Sequence, residues 1–200
     1  MTKIKEKSLS EKITESAAGG KTELLSVLFS QSKELIDWTR ALRRASKNGH
    51  TECVKILITL YSQKDIDSYA LSWASFNGHT ECVKLLIPVS DPMSNYSQSL
   101  RLASQNGHVE CVKILIPVSN PNNNKSESLR QAAENNHKTC VELLLSHSDI
   151  STWGKNEWED IDFDVQQIIK SYFSKVSLMN NILTNVSPNN DKISKKNKII

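Results

Sequence analysis

The sequence predicts an all-α solenoid, with short helix–turn–helix units stacked side by side and closed C-terminally by one longer helix. Three observations carry this expectation. Cys53, Cys82, Cys111 and Cys140 recur every 29 residues, and His50, His79, His108 and His137 keep the same interval. A fixed period of roughly 20–50 residues marks a stacked-repeat architecture. Within each period the apolar residues fall at helical spacing. Composition agrees, with 38% apolar and 24% charged residues, as in a water-exposed chain without a large single core.

The units begin after a leader at residues 1–9. Ser8-Leu-Ser-Glu11 has the form of a capping box and opens the first helix. Five units are expected, at 10–38, 39–67, 68–96, 97–125 and 126–145. Asn48-Gly-His-Thr-Glu-Cys-Val-Lys-Ile-Leu-Ile58 and Asn77-Gly-His-Thr-Glu-Cys-Val-Lys-Leu-Leu-Ile87 differ at a single position. Asn106–Ile116 follows closely, Asn135–Leu145 more loosely, and Gly19–Phe29 is a degenerate copy at the front. Upstream of each copy, Ile13, Leu42, Leu71, Leu100 and Leu129 form one column, and Ser16, Ala45, Ala74, Ala103 and Ala132 another.

Each unit reads as helix, tight turn, helix. Leu42 and Ala45 mark the buried stripe of a first helix, and the small Ala lets neighbouring helices approach. Asn48-Gly49 ends it, because glycine accepts the positive φ of a helix C-terminus. Cys53, Val54, Leu57 and Ile58 then form the apolar face of a second helix, with Glu52 and Lys55 able to pair on the solvent side. Pro88 and Pro117 are expected to close the second helix in two units.

The pattern Leu71-x-x-Ala74-x-x-x-Gly78-His79-x-x-x-Val83-x-x-Leu86-Ile87 resembles the core of the ankyrin repeat, over about residues 12–145. The family's Thr-Pro-Leu-His opening is reduced to its Leu. Its period is about 33, so each copy here is four residues short, in connectors such as Pro88–Ser99. The resemblance therefore implies an ankyrin-like solenoid whose β-hairpin fingers are truncated to plain loops. Binding then shifts to the first helices, which line the concave side in such proteins. Arrays this regular, with an Asn-, Ser- and Lys-rich tail, also resemble ankyrin proteins of intracellular bacteria and large viruses, some of which act as effectors on host proteins.

Past Leu145 the period fails. Residues 146–178 are expected to form a C-terminal cap, in which 158–178 (Ile161, Val165, Ile168, Ile169, Tyr172, Phe173, Val176) make one longer helix with Trp153 and Trp158 beneath it. Residues 179–200, ending in Lys192–Ile200, are expected to be a disordered basic tail. The charged N-terminus lacks the apolar stretch of a secretory signal, and a cytoplasmic location is expected, in the bacterial cell or a host cytosol.

The chemistry-bearing residues argue against catalysis and metal binding. Cysteines of one column sit in stacked elements roughly 10 Å apart, too far to share a zinc or form disulfides. They are read as small buried hydrophobes. Gly19-Gly20-Lys21-Thr22 lacks the upstream glycine of a phosphate-binding loop, and the acidic run Glu157, Glu159, Asp160, Asp162, Asp164 lacks the calcium-loop pattern. No catalytic residue, metal or cofactor is expected.

What remains is a binding face. With Leu42 and Ala45 inward, Arg40, Arg43 and Lys47 point outward, and the register continues through Tyr69, Ser72 and Phe76, then Gln98, Arg101 and Gln105, then Glu127, Arg130 and Glu134. Arg44, Trp73, Leu102 and Gln131 flank it. The face carries six basic and two acidic residues, and aromatics with Arg dominate interface energetics. The expected function is non-enzymatic protein–protein interaction by a monomer, with a partner presenting an acidic surface and an apolar anchor. Phosphoinositide or nucleic-acid binding through the same arginines and the basic tail is the alternative. A net charge of +3, from 25 basic and 22 acidic residues, disfavours nucleic acid. No apolar run reaches the ~18–20 residues of a membrane-spanning helix.

Overall fold

The computed structural model describes residues 7–31, 38–60, 68–151, 153–154 and 158–186, with the backbone alone at 60 and 180–186. Five helix pairs follow one another: α1 (Leu9–Ala18) with α2 (Thr22–Gln31), α3 (Thr39–Lys47) with α4 (Thr51–Leu60), α5 (Ser68–Phe76) with α6 (Thr80–Leu86), α7 (Ser94–Gln105) with α8 (Val109–Leu115), and α9 (Asn123–Glu134) with α10 (Lys138–Leu145). A last helix, α11 (Phe163–Val186), lies against α10. No strand occurs among the described residues.

The core is a set of columns repeated from unit to unit. Ile13, Leu42, Leu71, Leu100 and Leu129 are buried beneath the first helices. Leu25, Val54, Val83, Val112 and Val141 face them from the second helices, with the four cysteines alongside. Small residues (Ala41, Ala45, Ala70, Ala74, Ser99, Ala103) line the contacts between first helices. Neighbouring first helices accordingly lie closer together than neighbouring second helices do. The array therefore curves, with α1, α3, α5, α7 and α9 on its concave side.

The histidine column joins the units. His50 Nε2–H donates to the carbonyl of Ala18 at 2.9 Å, His79 to Lys47 at 3.0 Å, His108 to Phe76 at 2.8 Å and His137 to Gln105 at 3.0 Å. Each acceptor stands at the C-terminal end of the preceding first helix, where carbonyls lack partners within the helix. Each ring also rests on the preceding unit's turn glycine. Gly20, Gly49, Gly78 and Gly107 have φ between +67° and +74°, and a Cβ on any of them would lie 2.5–2.7 Å from the next histidine's Nδ1. The end units differ at these two columns. Lys21 stands in the histidine column of the first described unit, and Asn136 (φ +59°) stands in the glycine column of the last.

The connectors are more ordered than plain loops. Pro88 and Pro117 close α6 at Leu86 and α8 at Leu115, as expected, and tighten the chain that follows into 3-10 turns at Ile87–Val89 and Ile116–Val118. The first turns of α7 and α9 are left-handed, at Asn95–Ser97 and Asn124–Ser126, with φ of +49° to +58°. A serine in each of the last three units holds the next connector. Ser68 Oγ accepts from the backbone N–H of Asp91 (3.4 Å), Ser97 Oγ from Asn120 (3.0 Å) and Ser126 Oγ from Asp149 (3.0 Å). The side chains of Asp91, Asn120 and Asp149 in turn accept from the backbone two residues on, at 2.8–3.0 Å. These Asx turns occupy the place of the truncated fingers.

At the ends, the Ser8–Glu11 capping box is formed, and hydrogen bonds from Ser8 hold the Glu11 carboxyl below its ordinary pKa. Trp153 and Trp158 meet edge-on, 5.6 Å between ring centroids, and the Trp153 indole donates to the carbonyl of Lys125 at 2.9 Å. Val165 and Ile169 of α11 are buried. The helix does not end near 178, since residues 179–186, expected as the start of a disordered tail, continue it. Met179, Ile182, Leu183 and Val186 prolong its apolar spacing in the sequence, which explains the extension. Residues 1–6 of the leader and 187–200 of the tail lie outside the described residues.

Three outcomes follow for stability. Gly78→Ala places a Cβ at positive φ and 2.6 Å from the His108 ring, so it is expected to cost about 2–4 kcal/mol in urea unfolding. Asn136→Gly is expected to be neutral or mildly stabilising in the same measurement. The four thiols are free, and burial raises the pKa of each, that of Cys140 from near 9 to about 11. A raised folded-state pKa gives stability that is complete below the unfolded value and lost as pH climbs through the folded one. Melting temperature is therefore expected to fall between about pH 9 and 11, and less so in a Cys140→Ala variant.

Candidate functional site

Helix α3 supplies the cations of the concave face. Arg40, Arg44 and Lys47 are exposed and Arg43 is half-buried. Two of the four reach across to α5, where the Arg43 guanidinium stands 5.0 Å from the centre of the Tyr69 ring and Lys47 Nζ 4.7 Å from that of Trp73. Trp73 and Phe76 form an edge-on pair at 5.9 Å. Tyr69, Trp73 and Phe76 are 48%, 38% and 37% exposed. Trp73 is therefore not a core residue between first helices. It belongs to an open aromatic strip whose negative ring faces attract the α3 cations.

Other residues of the face stand differently. Ser72 occupies the column of Arg43, Arg101 and Arg130, but its short side chain stays beneath the surface. It is 5% exposed and lies 3.2 Å from the Ser99 hydroxyl, joining α5 to α7. Ser72 thus packs the array and does not present itself for binding. Arg130 is held by its own helix. It pairs with Glu127 at 2.6 Å and with Glu134, while the Gln131 amide donates to both carboxylates at 3.1 and 3.2 Å. Glu134 is thereby part of the clasp. Arg101 and Gln105 are half-buried on α7, and among the described residues no carboxylate pairs with Arg101. The basic character expected along the whole face is therefore concentrated on α3 with Arg101, and α9 contributes a self-neutralised end.

Column-by-column reading missed that clasp, although Glu127, Arg130 and Glu134 stand at i, i+3 and i+7, the spacing of helical ion pairs. It also missed a shallow hollow between α1 and α3, lined by Glu11, Thr14, Glu15, Arg40 and Arg44, which extends the face toward the first unit. Among the described residues no group of His, Cys, Asp and Glu is placed to hold a metal ion, and no helix is long and apolar enough to cross a membrane. The clasp predicts that Arg130→Ala lowers stability by about 1–2 kcal/mol, since it leaves two partly buried carboxylates unpaired. Arg101→Ala is expected to stay within about 0.5 kcal/mol in the same urea titration.

The comparisons with known proteins bear on this geometry. Residues 14–97 and 71–155 match the family model for ankyrin repeats (3 copies). Among solved structures, the crystal structure of the human ASB11 ankyrin repeat domain is similar, at 25% identity and a TM-score of 0.56 over 67% of each chain. No curated protein matches by sequence. Ankyrin repeats are generally non-enzymatic modules for protein–protein interaction. With helix pairs in register along its length and the family's model spanning most of the array, this chain belongs to the ankyrin-repeat family.

Proposed function

We propose that this protein binds a protein partner through the concave first-helix face, centred on Tyr69, Trp73 and Phe76. The observation that carries the reading is the open aromatic strip with cations of α3 seated against it. Aromatic and arginine side chains supply most interface hot spots, because they bury large area and lose little freedom on binding. The partner is an acidic segment carrying one apolar anchor. Its carboxylates meet Arg40, Arg43, Arg44, Lys47 and Arg101, and its anchor rests on Trp73 and Phe76. Ser72, Arg130 and Glu134 lie outside this contact set, and Gln105 stands at its edge.

The protein works as a monomeric, non-enzymatic scaffold in the cytosol. The four buried free thiols support a reducing compartment. The likeness of the array to ankyrin proteins of intracellular bacteria and large viruses supports the further reading that its partner is a host protein. Capture from lysate is the test, comparing wild type with a Trp73→Ala, Phe76→Ala, Arg101→Glu triple variant that circular dichroism shows to be folded. A partner held by wild type is expected to be lost at least tenfold by the variant. Equal capture overturns the concave-face reading. The four cations of α3 favour a second reading, an anionic ligand such as a phosphoinositide headgroup or nucleic acid, whose signature is an affinity falling steeply with salt.

A further inference from the structure

The repeats act as an internal control, since one backbone recurs with different side chains. Between Thr39 and Leu145, every exposed large apolar side chain among the described residues belongs to the third unit: Tyr69, Trp73 and Phe76 on α5, and Met93 and Tyr96 on the connector into α7. Met93 is 57% exposed and Tyr96 75%. One period on, Asn122 stands at the position of Met93 and Lys125 at that of Tyr96. The backbone is the same, with φ of -86° at Met93 against -83° at Asn122, and +57° at Tyr96 against +58° at Lys125. The turn is therefore built equally well from polar residues, and tyrosine is a poor fit to left-handed backbone. Folding does not account for either apolar side chain.

Their placement joins them to the aromatic strip. Ser68 Oγ, at the start of α5, accepts from the backbone N–H of Asp91, and the Asp91 carboxylate accepts from that of Met93 at 2.9 Å. The connector is thereby tied beside Tyr69, so apolar surface runs from Phe76 along α5 and off the concave face onto Met93 and Tyr96. From Phe76 to Tyr69 alone this is about 10 Å of helix axis. Cations border the stripe on both sides, with Arg43 and Lys47 of α3 against its rings, half-buried Arg101 on α7 and exposed Lys125 on the next connector. The connector's own carboxylate, Asp91, is turned to its backbone. An acidic segment with apolar residues fits this border. A second copy fits poorly, because a two-fold contact through the stripe brings the α3 cations of both chains together.

We infer that the third unit is the recognition unit, and that the partner's acidic segment crosses the groove along α5 with a second apolar anchor seated on Met93 and Tyr96. This rests on the concave-face reading and adds the segment's direction and spacing. Extended chain rises about 3.3 Å per residue, so anchors that span α5 stand about four to six residues apart. The test measures fluorescence anisotropy of labelled Asp- and Ser-rich peptides with the full chain, one peptide carrying a single Trp and the others two Trp separated by spacers of increasing length. Two Trp at a separation of about five residues are expected to bind at least tenfold tighter than one. Met93→Asn with Tyr96→Asn should remove that gain while single-Trp binding and the melting temperature stay unchanged. Asparagine already stands at the first position in the next connector, and it accepts the left-handed φ of the second. Single-Trp binding with no gain from a second Trp, or a gain that survives in the variant, overturns this inference and leaves the concave-face reading in place. Loss of single-Trp binding in the variant overturns the division into two anchors. No binding of any peptide by wild type overturns both readings.

Discussion

The bond from each histidine ring to the preceding unit's helix end is the constraint on which the array depends. It gives a partner to a carbonyl at the helix end, and it fixes where the next helix pair sits. It also dictates the residue beneath the ring, because the turn must be left-handed and must carry no side chain. One hydrogen bond and one glycine thus set the stacking distance, and the alanine and serine columns of the first helices follow from it. Repeat arrays have only nearest-neighbour contacts, so a fault at one such joint separates the molecule into two blocks.

That joint also shapes the face used for binding. Close approach of the first helices brings Arg43 and Lys47 of one unit over Tyr69 and Trp73 of the next. The cations are held before any partner arrives, so less side-chain freedom is lost on association. At the other end, the Glu127–Arg130–Glu134 clasp spends its charge within one helix. Similar columns therefore yield a polarised face, with an open cationic end and a closed neutral one.

Much of this was legible in the residues. The 29-residue period, the helix pairs, the buried leucine and cysteine columns, the capping box and the turn glycines are all local or periodic signals, and the structure has each of them. The misses share a cause, which is that reading by columns treats equivalent positions as equivalent environments. Ser72 sits in an arginine column, yet a side chain too short to reach the surface ends in a bond to Ser99. Arg130 sits in the same column, but carboxylates one turn away on its own helix claim it. The left-handed turns at Asn95–Ser97 and Asn124–Ser126 had no glycine to announce them. Helix α11 outran its expected end because its polar positions are Ser, Asn and Thr, the composition of a loop.

The serine-to-connector bonds repeat at the same interval as the histidine joints, so two independent ladders share one 29-residue register. Gain or loss of a whole interior unit leaves both ladders intact, and the end units, which alone carry Lys21 and Asn136, still meet the partners they are fitted to. A shorter insertion satisfies neither ladder. Length in this molecule is consequently quantised: a lineage can resize the array by recombination between near-identical units, each step adding or removing one helix pair of concave surface while the two ends stay as they are.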